Sequence, residues 1–349
     1  SVCVFFVNSY ANDVNEREAV VTVREIWPNE HVTASSEILP EIREFERCST
    51  STLNAYLQPT LGDYLESLEG TLRDGGFEGE VLIVQSNGGV MSVNMARQYP
   101  VRTALSGPAA GVIAGTHIGI SAGYPNLITC DMGGTSADVS LLSGNRPAYS
   151  DETVFAGIPI RAAQMEINTV GAGGGSLAYL GDGGFLNVGT RSAGARPGPA
   201  CYGHGGTEPT VTDANVVLAR LRPMQPLGGE IQINVEAANQ AVDRLANALG
   251  LDRMKTAEGI IQIAITRMTV AIKEISVMRG LDPRDFSLFA FGGAGPLHAA
   301  LIAEELDIAR VIIPPLSGAF AAYGLLVADR RRDHSITWQR ELTDISITD

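Results

Sequence analysis

The sequence predicts an α/β fold, built as two domains or one large two-lobed body. Three observations carry this. Its 349 residues are 45% hydrophobic and 18% charged, an ordinary globular balance at a length that outgrows one small core. Two glycine-rich turns, Asp131–Asp138 and Phe291–His298, each follow a short apolar strand. Near the end, a strand, a turn, a helix and another strand follow one another over residues 286–314, a spacing that implies parallel pairing.

Composition excludes some partners. A formal net charge of −14 leaves no basic surface for a phosphate backbone, so no nucleic acid is expected. No apolar run approaches the roughly 18 residues of a membrane span, so no membrane is expected either. Four scattered cysteines without a Cys-x-x-Cys pair point to a reducing, cytoplasmic setting rather than a disulfide framework. The chain opens inside the apolar run Val2–Val7, as if a strand were already under way, and the expectation is that residues precede Ser1.

The elements follow in order. Ser1–Val7 reads as a strand, Asn12–Trp27 as a helix capped by Asn12 or Asp13 and stopped by Pro28, and His31–Ser36 as a strand. Over Glu46–Glu69, apolar residues recur at spacings of three and four, the period of an amphipathic helix, with Pro59 expected to kink or interrupt it. Glu80–Val84 reads as a short buried strand ending in the turn Gln85–Gly89. Pro108–Ile120 is a helix of small residues, expected to pack tightly between lobes, and Arg102–Gly111 is the candidate crossover between them. Asn126–Cys130, Asp138–Leu142 and Arg146–Ser150 read as a three-stranded meander, the opening of a ribonuclease-H-like fold by analogy. Thr169–Ser176 and Arg191–Gly206 are Gly-rich and irregular. Val211–Leu221, Val235–Leu249 and Ala257–Arg279 are helices, and Phe286–Phe291, Pro296–Leu306 and Arg310–Pro314 make the closing strand–helix–strand unit.

Two turns carry chemistry. In Asp131–Asp138, Gly133 and Gly134 between strands let successive backbone N–H groups converge on an anion, and Thr135 and Ser136 add hydroxyl donors. Asp131, at the end of a strand, suits a Mg²⁺-bound water. In the second turn, Gly292, Gly293, Ala294 and Gly295 allow the flat face of a nucleoside to lie against backbone at a helix start. Neither turn is a P-loop or a dinucleotide-binding Gly-x-Gly-x-x-Gly. Cys201 and His204 have the spacing of a metal pair, but tetrahedral zinc needs further ligands, and a rigid loop is the preferred reading. Asp213 and Thr212 either cap the following helix, the preferred reading, or face a nucleotide. His298 is either a ligand-facing residue or a packed core histidine, and Arg102 either reaches a phosphate or makes a surface ion pair.

In this order, Gln85–Met91, Leu105–Gly111, Asp131–Asp138, Thr169–Ser176, Ser192–Thr212, Phe291–Ala299 and Ser317–Asp329 resemble the hydantoinase A/5-oxoprolinase family. The family includes subunits of acetone and acetophenone carboxylases. The resemblance implies an actin-like ATPase fold of two ribonuclease-H-like lobes, with this chain supplying the second lobe and part of the first. It implies residues 1–104 as the rest of the first lobe, 105–335 as the second with a Gly-rich insertion at 165–210, and 336–349 as the start of a further region. It makes Asp131–Thr135 the second phosphate motif and Gly292–Gly295 the adenosine motif. The family's first phosphate motif, Asp-x-Gly-Gly-Thr, has no copy at the start of this chain, so half of the phosphate clamp is expected to lie outside it.

The implied activity is ATP-dependent ring opening of a cyclic amide such as 5-oxoproline or a hydantoin. ATP and Mg²⁺ are the implied cofactors, Asp131 and Asp138 the catalytic pair, and Asp131 the metal residue. A hydantoinase B-type subunit or domain is the implied partner in an oligomeric assembly, because the chain shows no Ser/His/Asp array or metal-hydroxide cluster for the hydrolytic half. A ketone carboxylase subunit is one alternative. A non-enzymatic nucleotide-binding module of actin or chaperone type is another.

Overall fold

The computed structural model describes residues 1–155, 157–224 and 226–338. Two compact units divide the chain: Ser1–Ala109, Tyr149–Met165 and the residues from Ala328 on form one, while Ala110–Ala148 and Glu166–Val327 form the other. The first division falls between Ala109 and Ala110, inside the stretch Arg102–Gly111. Residues 339–349, most of the segment expected to begin a further region, lie outside the described residues.

In the first unit, β1 (Val2–Val4) pairs in parallel with β2 (Val32–Ala34), joined through α1 (Val14–Ile26). Both strands are shorter than the sequence predicts. After Val4 the backbone turns its donors to side chains: Phe6 N–H bonds Glu16 Oε2 at 2.9 Å, and Asn8 N–H bonds Glu44 Oε1 at 2.8 Å. Residues Ser35–Ile38 form a one-turn helix, α2, rather than prolonging β2. Glu16 and Arg47 are fully buried here, 3.8 Å apart. Burial alone would raise the Glu16 pKa, but hydrogen bonds from the Ser36 and Phe6 amides and nearby hydroxyls hold it below the usual range.

The long helix α3 (Glu44–Asp74) runs 31 residues without stopping at Pro59. Asn54 Nδ2 and Gln58 Nε2 both bond the Gln98 carbonyl, at 3.0 and 3.2 Å, and so fasten the turn before the proline. β3 (Leu82–Val84) and β4 (Val90–Ser92) form a hairpin around Gln85–Gly89, followed by α4 (Val93–Gln98). Leu82 is 38% exposed, so β3 is less buried than its composition suggests.

The second unit is organised by a mixed sheet. β5 (Leu127–Met132) and β6 (Ala137–Ser143) form an antiparallel hairpin. The predicted third strand is split. β7 (Arg146–Pro147) pairs with Leu142 and Ser143; β8 (Tyr149–Phe155) and β9 (Ile158–Met165) then form a separate hairpin; β10 (Asn168–Val170) returns to pair with residues 137–139 of β6. The ends of the excursion are stitched together, since Glu166 N–H bonds the Ala148 carbonyl at 2.9 Å. The sequence shows apolar and polar runs but not that one strand is interrupted by 17 residues, Tyr149–Met165, that pack in the other unit. Beyond β10 the chain adds a second hairpin, β11 (Ser176–Leu180) with β12 (Leu186–Ser192).

β13 (Ser287–Phe291) runs parallel to β5, and β14 (Val311–Ile312) parallel to β13, giving the order β10-β6-β5-β13-β14. Three antiparallel strands followed by two parallel ones is the ribonuclease-H arrangement the meander predicts. Alternate residues of β5 face opposite sides. Ile128, Cys130 and Met132 join the main core with the stripe Ile260, Ala264, Met268 and Ile272 of a long helix (Arg253–Ile275).

On the opposite face lies α5 (Ser106–Ala122). Three of its glycines pack on the sheet of this unit. A Cβ on Gly111 would lie 2.7 Å from the Phe291 ring, on Gly115 3.1 Å from Thr129 Cγ2, and on Gly119 2.7 Å from Leu127 Cδ1. Glycine at every fourth position thus lets helix backbone sit directly on β5 and β13. Replacing Gly115 by Leu should therefore lower stability by about 3 kcal/mol through overpacking. The exposed Ile120→Ala on the same helix should shift it by less than about 0.5 kcal/mol. Urea unfolding of both variants checks this, and equal shifts would contradict it.

Candidate functional site

The Asp131–Asp138 hairpin sits at one end of this sheet. Asp131 pairs with Asp138 and Met132 with Ala137 across the strands, leaving Gly133–Ser136 as the turn. Gly133 N–H is spent inside the turn, on the Ser136 carbonyl at 3.0 Å. Gly134, Thr135 and Ser136 are different. Among the described residues their amides and the two hydroxyls have no protein acceptor, and Gly134 and Thr135 are exposed. Three successive N–H groups without a protein acceptor on one turn are the donor pattern an anion-binding concavity would use.

The turn is ordered from beneath by glycine backbone. Gly174 N–H bonds the Gly133 carbonyl at 3.0 Å, and Gly175 N–H bonds the Gly134 carbonyl at 2.6 Å. A Cβ on Gly173 would lie 2.5 Å from the Thr135 backbone, so no side chain fits there. Thr212 holds this brace in turn, since its amide and hydroxyl both bond the Gly174 carbonyl at 2.8 Å. The sequence marks Thr169–Ser176 as Gly-rich but assigns it no such task; the signal is three adjacent glycines two residues after a β residue.

The second glycine turn meets the first. Ala294 N–H bonds the Met132 carbonyl at 2.9 Å, and a Cβ on Gly292, whose φ is +83°, would fall 2.5 Å from that same oxygen and against the Asp131 carboxylate. Only glycine meets both demands. Gly293 is exposed with open space above it. Gly295 opens the helix Gly295–Glu305 over the Cys130 carbonyl.

Asp131 and Asp138 face each other across the hairpin, half-buried. Burial first, and the Asp138 charge second, push Asp131 up to about 6. Burial also raises Asp138, opposed by a 2.6 Å hydrogen bond from the Thr169 hydroxyl. Among the described residues neither carboxylate has a cationic partner. Two adjacent acids without a counter-charge suit a hydrated Mg²⁺, which prefers carboxylate partners and keeps most of its waters. Among the described residues no group of three or more His, Cys, Asp or Glu could hold a metal by itself, so the pair would share the ion with water and ligand.

Other candidates resolve to structural roles. His298 is fully buried, its Nδ1 2.9 Å from the Ala294 carbonyl and its Nε2 3.1 Å from Asn215 Nδ2. Donation from Nδ1 and acceptance at Nε2 fix a neutral ring, and burial lowers its pKa. It is the packed core histidine. Cys201 is fully buried, its thiol pushed up by burial and the nearby Asp213, whereas His204 is exposed. Asp213 caps the short helix Val211–Val217 in a capping box with Thr210 and also binds the amides of Ala200 and Cys201. Arg102 makes no ion pair among the described residues and stacks on Tyr99, 4.8 Å from its ring centre.

A sequence model of the family described as Hydantoinase/oxoprolinase matches residues 47–334. The caprolactamase subunit alpha of Pseudomonas jessenii is 40% identical over 345 residues, covering 99% of this chain and 50% of that protein. The crystal structure of ATP-dependent caprolactamase from that organism superposes with a TM-score of 0.81 and 41% identity, over 93% of this chain and 47% of that one. 5-Oxoprolinase 1 of Arabidopsis thaliana is 36% identical over 318 residues, covering 86% of this chain and 25% of that protein. A nucleotide-free structure of acetone carboxylase gives a TM-score of 0.84 at 28% identity, over 94% of this chain and 47% of that one. The chain thus spans about half the length of the caprolactamase subunit and about a quarter of 5-oxoprolinase 1. The fold is the α/β fold of the actin-like ATPases.

Two expectations follow. The raised Asp131 pKa means that between about pH 4 and 6 the native state keeps a proton the unfolded chain has lost. This contribution to stability is full below about pH 4 and is lost as pH rises through about 6. Wild type should lose melting temperature over that window relative to Asp131→Asn, and Mg²⁺ should restore part of it at pH 7; superimposable pH profiles would contradict the reading. Gly173→Ala should displace the Gly133–Ser136 turn and weaken ATP binding, measured by calorimetry on the full-length protein, by about tenfold or more. Unchanged affinity would show that the brace does not set the turn.

Proposed function

The chain belongs to the hydantoinase/oxoprolinase family, and on that premise we propose that it carries an ATP site for opening a cyclic amide. The observation that carries the reading is the turn Gly134–Ser136: three free amides and two hydroxyls facing out beside an unpaired carboxylate pair. An amide carbonyl is a poor electrophile at neutral pH. ATP supplies a γ-phosphoryl group to the carbonyl oxygen and leaves as ADP; water then adds to the activated carbon, the ring C–N bond breaks with its nitrogen taking up a proton, and a second water hydrolyses the resulting acyl phosphate to the open acid and phosphate.

The work of the chain is positioning and charge neutralisation. Gly134, Thr135 and Ser136 donate to phosphate oxygens. Asp131 would hold a Mg²⁺ ion through its waters, with Asp138, bonded by the Thr169 hydroxyl, as the second anion of the pair. Gly292 and Gly293 present bare backbone to adenosine, with Ala294 and Gly295 completing that turn. Water attack is assigned in this reading to a B-type subunit or domain in an oligomeric assembly, which the subunit naming of the caprolactamase relative supports. Among the described residues no helix is long and apolar enough to cross a membrane.

The similarity to acetone carboxylase favours a second reading, phosphorylation of a ketone enol or bicarbonate at the same turn. ADP release by the full-length protein with its B-type partner separates them, using 5-oxoproline, hydantoin, caprolactam, and acetone with bicarbonate. Lactam-stimulated release supports the first reading and acetone-stimulated release the second; binding of ATP without stimulated turnover by any of these supports a non-enzymatic module. In the first two cases Asp131→Ala should lower turnover by about 100-fold or more, as loss of a charge-stabilising group does. Unchanged turnover would remove Asp131 from the site.

A further inference from the structure

Residues of the first unit line an open cavity of about 790 Å³ that the phosphate chemistry does not use. Its volume falls in the range of small-molecule sites. Its lining includes the apolar Ile38, Leu39 and Val101 and four arginines, Arg102, Arg161, Arg331 and Arg332. These four cations are not equivalent, and Arg332 is exposed. Arg161 pairs with Glu41 at 3.0 Å and Arg331 with Asp333 at 3.1 Å. Arg102, half-buried, has no carboxylate or carbonyl partner for its side chain among the described residues.

Arg102 is nonetheless held in place. Its guanidinium lies over the Tyr99 ring, and its carbonyl accepts from both the amide and the hydroxyl of Ser86, at 2.7 and 2.9 Å. A fixed, partly desolvated guanidinium with open donors is preorganised for a planar two-oxygen anion. Acids also line the cavity, but Glu41 and Asp333 are occupied by their arginines, and Asp151 is exposed. We propose that this cavity is a binding site for a small organic carboxylate, anchored by Arg102 with its apolar part against Ile38, Leu39 and Val101.

Two probes differ only in the anion: 5-oxoproline and 2-pyrrolidinone, the same ring without the carboxylate. Calorimetry on the wild-type full-length protein should show 5-oxoproline binding about tenfold or more tighter, the size of one hydrogen-bonded ion contact. Arg102→Met should abolish that difference by weakening 5-oxoproline alone, and Arg102→Lys should restore part of it. Ile42→Trp, on the cavity rim, should weaken both probes. The wild-type comparison needs no variant, so it stands even if Arg102→Met fails to fold. Equal binding of the two probes, binding of neither, or full 5-oxoproline affinity in Arg102→Met would each overturn the proposal. Lactam-stimulated ADP release is scored separately: its absence alongside Arg102-dependent binding counts against the ATP-site reading alone, and its presence with Arg102-independent binding counts against the cavity alone.

Discussion

The candidate site depends on backbone packed against backbone. The Gly133–Ser136 turn has Gly173 pressed against Thr135 from one side and Gly292 against Met132 from another, at distances that no Cβ tolerates. Gly174 and Gly175 donate to the carbonyls of Gly133 and Gly134, and Ala294 to that of Met132. These carbonyls are therefore satisfied within the protein, and the amides of Gly134, Thr135 and Ser136 are left without a protein acceptor among the described residues. Rigidity and free donors come from the same contacts, which is what an anion site needs, because donors that need not reorganise bind charge at least cost.

The second constraint is electrostatic. Register places Asp131 opposite Asp138, and the surroundings desolvate both without offering a cation. Elsewhere the chain answers buried charge differently. Glu16 receives amide and hydroxyl donors beside Arg47, so its charge is stabilised by protein alone. The hairpin pair lacks such compensation apart from Thr169, and a divalent ion with its waters is the group whose charge would complete it. The contrast separates a charge compensated by the protein from a pair left without a cation.

Much of this was legible in the sequence. Glycine runs after apolar strands located both turns, and spacing gave the helix Val235–Leu249 to the residue and the parallel pair at the end. What escaped was long-range. Nothing local says that the third strand breaks at Ala148 and resumes at Glu166, because each piece reads as an ordinary short strand. His298 and Asp213 have local partners in Ala294 and Thr210, but their other partners lie 83 and 12 to 13 residues away, and these are visible only once the fold closes. Pro59 argued for an interruption of α3, yet side chains one and five positions earlier anchor the helix to Gln98 and it continues. The bracing glycines Gly173–Gly175 were visible as composition, but their target became visible only in space.

The most direct test is a crystal structure of the full-length protein with Mg²⁺ and a non-hydrolysable ATP analogue. The account predicts phosphate oxygens within hydrogen-bonding distance of the Gly134, Thr135 and Ser136 amides, adenosine against Gly292 and Gly293, and a hydrated Mg²⁺ whose waters contact Asp131. Phosphates bound away from this turn, with its amides facing only solvent, would contradict it.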